Sequence, residues 1–123
     1  MGIASLVANV FVAFVALLHV GFFVLESFLW TKPAGRRIFG LTAEKAHDSA
    51  ALAANQGVYN LFVASGLIWG LVAHDGAFAI KVFFLTFVII AGIVGAITAK
   101  RSILFVQGLP GAIALLLVVF TQR

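Results

Sequence analysis

Long apolar segments separated by short polar stretches make up most of this 123-residue sequence. Each has about 18 residues or more, enough for a helix to cross the ~30 Å hydrocarbon core of a membrane. The first segment lacks a basic start and is longer than the apolar core of a signal peptide, so we expect it to be retained. The pattern predicts four transmembrane helices, at about residues 3–30, 50–73, 78–99 and 103–120.

Residues that end or start helices set the first boundaries. Pro33 and Gly35 end the first segment, and we expect a basic loop containing Arg36 and Arg37 to follow. Thr42 is the expected N-cap of the second helix. That helix therefore begins at the membrane interface and enters the membrane about two turns later.

The remaining connections are short. Residues 74–76, His-Asp-Gly, predict a tight turn between the second and third helices. Residues 100–102 leave almost no loop, so the third and fourth helices must be antiparallel neighbours. Lys81, near the start of the third helix, is expected to extend its amine to the lipid headgroups. Pro110 lies inside the predicted fourth helix and leaves a backbone carbonyl without its usual partner.

Composition favours a lipid environment, since 63% of the residues are hydrophobic, 10% are charged and the mean hydropathy is +1.19. A water-soluble chain of this size could not hide so much apolar surface. We therefore predict one all-α domain, residues 1–123, folded as an integral membrane four-helix bundle in up-down-up-down order. The net charge of +4 lies between the apolar segments, where membrane lipid is the expected partner and nucleic acid is not. The absence of Cys excludes disulfides and thiolate chemistry.

The basic residues are concentrated in the first and third connections between the predicted helices. By the positive-inside rule these connections are cytoplasmic, and both termini lie on the non-cytoplasmic side. The residues on the predicted inner side are Lys32, Arg36, Arg37, Lys45, Lys100 and Arg101, against Lys81 and Arg123 on the outer side.

Polar side chains inside the predicted spans are the candidate functional residues, because an ionisable group at a helix centre costs about 2.5–3.5 kcal/mol on insertion scales. Glu26 and His19 lie two turns apart on one face of the first helix and are the candidate catalytic residues. The candidate ligand-binding residues of the second and fourth helices are Asn55, Gln56, Tyr59, Asn60 and Gln107. Except for His19, nearer the midplane, all fall in the cytoplasmic half of the predicted spans. We therefore expect one polar pocket between the first, second and fourth helices, open to the cytoplasm.

Each of these residues also has a purely structural interpretation. The amides would hold helices together, Tyr59 would be an interfacial aromatic anchor, and His19 would donate to a carbonyl. Chemistry is favoured for Glu26, because a carboxylate costs more to bury than an amide. No metal site is predicted, since Glu26 and His19 are about 10 Å apart along the helix and no Cys or His cluster adds ligands. No cofactor motif is present.

Small residues recur at four-residue spacing, as in Gly66 and Gly70 of the second helix and Gly92 and Ala96 of the third. Such faces allow helices to approach closely. Packing within the chain accounts for them, and a homo-oligomer formed through the same faces is the second interpretation.

Four segments together resemble a family of small bacterial membrane proteins known as domain of unknown function 1304, whose members are often labelled as epimerases. They are Glu26–Pro33, Phe39–Thr42, Ala53–Asn60 and Gly66–Gly70, and the resemblance covers essentially the whole chain. It implies the four-helix layout and a multi-pass protein of the bacterial cytoplasmic (inner) membrane. We derive no reaction from the epimerase label.

Three hypotheses about function follow from the residues. The first is an enzyme or binding protein for a lipophilic or amphiphilic small molecule, with Glu26 as acid or base. The second is a small transporter of protons or solutes, in which His19 and Glu26 form a relay through water. The third is a structural or assembly subunit of a membrane complex.

Overall fold

The computed structural model describes residues 2–123, which form five α-helices, one π-helical segment and no strand. The α-helices are α1 (Ile3–Ser27), α2 (Pro33–Phe39), α3 (Ala43–Val72), α4 (Ala77–Thr98) and α5 (Leu109–Gln122), and the π-helical segment is Leu104–Gly108. The prediction of an all-α protein is therefore confirmed.

The short helix α2 replaces the basic loop that we expected after the first segment. Pro33 is in its first turn, where its fixed φ suits a helix and its missing N–H is not needed. Gly40 ends α2 in the left-handed conformation, with φ of 66°, and its N–H bonds to the carbonyl of Arg36. Arg36 and Arg37 thus lie on a helix. α1 already ends at Ser27, so Pro33 starts a helix and does not end the first one.

The start of α3 agrees with the prediction. The hydroxyl oxygen of Thr42 accepts a hydrogen bond of 3.2 Å from the backbone N–H of Lys45, which is an N-cap bond. α3 then continues for 30 residues. A short turn follows it, and Gly76, with φ of 73°, leads directly into α4.

The chain divides into two compact units, which are described separately. The larger unit comprises the residues up to Leu17 together with Val63–Arg123, and the smaller unit comprises Leu18–Phe62. The larger unit has a buried apolar cluster, to which four helices contribute. Its members are Ala8, Val12, Val15, Ala16, Leu67, Leu85, Val88, Ala114 and Val118.

Within the larger unit, α4 packs against the C-terminal helical region in antiparallel order, as predicted. A Cβ added to Gly92 would lie 2.7 Å from Cα of Gly108, and one added to Gly111 would lie 2.7 Å from Cγ1 of Val88. The helix predicted over residues 103–120 is interrupted by the π-helical segment. There the N–H of Leu109 bonds to the carbonyl of Leu104, one residue further back than in an α-helix, just before Pro110.

Within residues 2–123, three helical stretches are long and apolar enough to cross a membrane: Ile3–Ser27, Ala77–Thr98 and Leu104–Gln122. Only 22–28% of their most apolar windows is buried. Large apolar side chains such as Leu17, Ile97 and Phe120 are more than two-thirds exposed. Such surfaces fit a membrane protein, because lipid solvates them at no cost. α3 is not among these stretches, because its first half is polar.

Candidate functional site

The smaller unit contains a direct hydrogen bond between two of the candidate residues. The side-chain amide of Asn60 on α3 donates to Oε1 of Glu26 on α1 at 2.5 Å. Both side chains are half-buried. Both residues are candidate site residues from the sequence, and the structure brings them together.

Close packing of the two helices positions this pair. Gly57 is buried one turn before Asn60, and a Cβ there would overlap the hydroxyl oxygen of Ser27 and lie 3.1 Å from the carbonyl oxygen of Phe23. The Ser27 hydroxyl in turn donates to the carbonyl of Ala54 at 3.0 Å. The missing side chain at residue 57 therefore lets α3 approach α1, and the approach brings Asn60 within reach of the carboxyl group.

The pair leaves acceptor capacity for a further partner. An ionised carboxylate has about four lone-pair sites and the Asn60 amide occupies one of them. The carbonyl oxygen of Asn60 adds another acceptor. In an apolar environment this arrangement can accept hydrogen bonds from a hydroxyl or amine, or hold a proton on the second Glu26 oxygen.

Asn55, Gln56 and Tyr59 are exposed. At 100° per residue, Asn55 and Tyr59 point 100° or more away from Asn60, whereas Gln56 lies about 40° from it and one turn earlier. Tyr59 is 60% exposed, and its ring meets that of Phe62 edge-on at 5.9 Å. The polar sector predicted on this helix thus divides in two: Asn60 faces Glu26, and Asn55 and Tyr59 lie on the open side.

The two remaining candidate residues, His19 and Gln107, lie at other positions in the chain. His19 is fully buried, with its ring centroid 5.4 Å from that of Phe22 in edge-on contact. It lies two turns before Glu26 on α1, as the sequence predicted. Gln107 is partly buried in the π-helical segment and belongs to the larger unit. Its inclusion in a pocket with Glu26 stays a prediction.

The larger unit contains a polar network that was not predicted from the sequence. Lys81 was expected to extend to the headgroups, but it is only 5% exposed. Its amine donates to the side-chain oxygen of Asn9 at 3.0 Å and to that of Gln122. The sequence contained a signal for this network. Residues 9, 81 and 122 are polar, and each lies near the end of a predicted span on the same, non-cytoplasmic side of the membrane. Helix packing encloses the Lys81 amine instead of leaving it at the headgroups, and two side-chain amide oxygens accept its hydrogen bonds.

Among residues 2–123, no group of three or more His, Asp or Glu side chains is placed to hold a metal ion. Surface cavities of the larger unit include two along or beside α4. One, of about 550 Å³, is a groove along α4, and the other, of about 330 Å³, lies beside Lys81.

Comparison with known proteins gives a family and a relative of unknown function. The profile of a family described as "Protein of unknown function (DUF1304)" matches residues 13–119. The uncharacterized protein YpaA of Lactococcus lactis subsp. lactis (strain IL1403) is 28% identical over 86 residues, which cover 68% of this chain and 72% of the relative. No solved structure matches.

Proposed function

The chain belongs to the DUF1304 family of proteins of unknown function, and from the hydrogen-bonded pair in its smaller unit we propose that it binds a lipophilic or amphiphilic small molecule at Glu26 and Asn60. The ligand class is an apolar molecule with a hydroxyl or amine, because the pair offers acceptors. The Asn60–Glu26 hydrogen bond is the observation that carries the proposal.

The proposed setting is the cytoplasmic membrane of a bacterium, crossed four times. Three apolar helices have the length and composition needed to cross a membrane. We propose that α3 is the fourth membrane-spanning helix. Its 30 residues extend for about 45 Å, longer than the ~30 Å hydrocarbon core. The part of α3 from about residue 50 onward, about 34 Å long, would cross the hydrocarbon, and its charged first two turns would extend into the interface. The bias of basic residues then puts both termini on the non-cytoplasmic side.

Energetic cost supports a role for Glu26 beyond holding helices together. Amide hydrogen bonds between membrane helices average about 0.6 kcal/mol, and a neutral Gln at residue 26 could make the same bond to Asn60. Inserting a carboxylate at a helix centre costs about 2.5–3.5 kcal/mol, which is more than the roughly 1.7 kcal/mol that the strongest hydrogen bonds between membrane helices return. Its acidity and extra acceptor sites are therefore the properties that a ligand would use.

A photocrosslinking experiment tests this proposal. A long-chain alcohol carrying a diazirine is added to the purified full chain in nanodiscs, and crosslinked peptides are identified by mass spectrometry. We expect saturable labelling of the α1 and α3 segments around Glu26 and Asn60, with competition by the unlabelled alcohol. Glu26→Gln and Asn60→Leu should each reduce that labelling, whereas Glu44→Gln, at an exposed carboxylate, should not.

Two outcomes would overturn the proposal. Equal labelling in wild type, Glu26→Gln and Asn60→Leu would mean that the alcohol only partitions into the membrane. Proton flux into proteoliposomes that follows a pH gradient and disappears in His19→Ala would instead support a conduit through His19 and Glu26.

A further inference from the structure

A buried amine in the larger unit is held by side chains from three helices. Lys81 of α4 donates to Asn9 of α1 at 3.0 Å and to Gln122 of α5. The amide of Gln122 donates to the side-chain oxygen of Asn9 at 2.8 Å and to the carbonyl of Ser5 at 3.0 Å. The network therefore joins the first two turns of α1 and the second turn of α4 to the last turn of α5.

This cation has neutral partners. In the part of the chain that the structure describes, both hydrogen-bond acceptors of the Lys81 amine are amide oxygens, and no carboxylate forms an ion pair with it. An ammonium group has three N–H donors, and two are used. Burial of a charge is costly unless an opposite charge accompanies it. A bound anion would supply both the missing charge and an acceptor for the third donor.

The amine borders a cavity large enough for a phosphate-sized group. The cavity has a volume of about 330 Å³, and its lining consists of Ser5, Asn9, Ala77, Phe78, Lys81 and Gln122. Three of these residues lie in the first turns of α1 and α4. Helix N-termini carry partial positive charge, which adds to that of the amine.

The second cavity adjoins the first at Phe78, which lines both. It is a groove of about 550 Å³ whose other lining residues are Ala79, Val82, Phe83, Thr86, Phe87 and Ile90. Residues 78–90 extend for about 18 Å along α4, which is slightly more than one leaflet of a ~30 Å hydrocarbon core. The cavity beside the charged amine and an apolar groove about one leaflet long thus share a wall at Phe78.

We propose that this composite site binds a phospholipid with an anionic headgroup, with its phosphate beside Lys81 and one acyl chain along the Phe83 and Phe87 side of α4. The site is separate from the Glu26–Asn60 pair and lies in the other compact unit. The adjacency of the two cavities favours a lipid over a free anion, which would need only the cavity beside Lys81.

The test is a lipid titration of the delipidated full chain in detergent, followed by native mass spectrometry and thermal unfolding. We expect phosphatidylglycerol to bind with a stoichiometry of one at this site and to raise the unfolding midpoint, whereas phosphatidylcholine and inorganic phosphate have little effect. Lys81→Met should weaken phosphatidylglycerol binding roughly tenfold or more. Lys100→Met, at an exposed lysine, should bind as wild type.

A second variant keeps the test decisive if Lys81→Met does not fold. Gln122→Glu places a carboxylate next to the amine, so we expect a higher midpoint without lipid and loss of the response to phosphatidylglycerol. Equal binding of phosphatidylcholine, or loss of binding in Lys100→Met, would overturn the proposal. Stabilisation by inorganic phosphate alone would also overturn the lipid assignment and indicate a free-anion site.

Discussion

The side-chain amide of Asn60 donates a 2.5 Å hydrogen bond to the carboxyl group of Glu26, 34 positions away in sequence. α1 and α3 thus share a polar contact in which one partner is ionisable. Hydrogen bonds to charged groups contribute about 1.5–3 kcal/mol in water-soluble proteins, and bonds between membrane helices contribute up to about 1.7 kcal/mol. These values set the range in which we expect the coupling energy between Glu26 and Asn60 to fall, and that range is large enough to measure.

A double-mutant cycle should give a coupling energy of about 1–2 kcal/mol between residues 26 and 60. The variants are Glu26→Leu, Asn60→Leu and the double variant, unfolded with increasing SDS in mixed micelles. Asn60→Leu alone should be destabilising, because it leaves a half-buried carboxylate without its donor. Asn55→Leu, at an exposed position of the same helix, should change stability by less than about 0.5 kcal/mol. A coupling energy near zero would contradict this interaction.

Gly57→Ala should destabilise the protein by about 1–3 kcal/mol. The new Cβ would meet the Ser27 hydroxyl and two backbone atoms of α1 at 3.1 Å, so the helices would have to separate. Gly21→Ala is the matched control, because no atom lies within 4 Å of its added Cβ. It should be neutral or stabilising by up to about 1 kcal/mol. Equal effects of the two substitutions on the unfolding free energy would rule out the close approach.

The lengths of the apolar segments and the positions of helix-starting and helix-ending residues were enough to predict most of the helices. The Thr42 cap and the antiparallel packing of α4 with the C-terminal helical region follow from local rules, and both are confirmed. α2 was missed because Pro33 was interpreted only as the end of a helix, although Pro also suits a first turn. The four-span layout and the orientation of the termini stay predictions.

The candidate site was predicted less well, because side-chain partners depend on packing between distant segments. Glu26 and Asn60 were both selected, but the sequence could not show that they bond to each other. The Lys81 network was missed because its members come from the beginning, middle and end of the chain. Each of those residues alone is typical of a helix end at a membrane surface.

Gly92→Ala should be more destabilising than Gly108→Ala, although the two glycines face each other. A Cβ on Gly92 would lie 2.7 Å from Cα and 2.8 Å from N of Gly108, and backbone atoms cannot move aside. A Cβ on Gly108 would first meet the flexible end of Leu104 at 3.2 Å, which can shift. We expect about 2–3 kcal/mol for the first substitution and under about 1 kcal/mol for the second, measured by SDS unfolding. The reverse order would mean that the π-helical segment packs differently against α4.

Ser49→Ala should lower stability by about 1 kcal/mol and change the environment of one of the two Trp residues. The indole N–H of Trp30 donates to the Ser49 hydroxyl at 3.0 Å, and that hydroxyl donates to the carbonyl of Lys45 at 2.6 Å. Without the hydroxyl the indole loses its acceptor, so its N–H resonance in a two-dimensional ¹H–¹⁵N spectrum should move upfield. Trp69, which is exposed, serves as an internal reference whose resonance should stay in place.

The matched control for this substitution is Ser65→Ala, at an exposed position of α3. It removes the same hydroxyl from the same helix, far in sequence from the Trp30 contact, so it should leave the Trp30 resonance unchanged. If Ser49→Ala also leaves that resonance unchanged, the bond between Trp30 and Ser49 is absent in solution. The segment between α1 and α2 would then be held to α3 in some other way, and the chain entering α2 would need a different anchor.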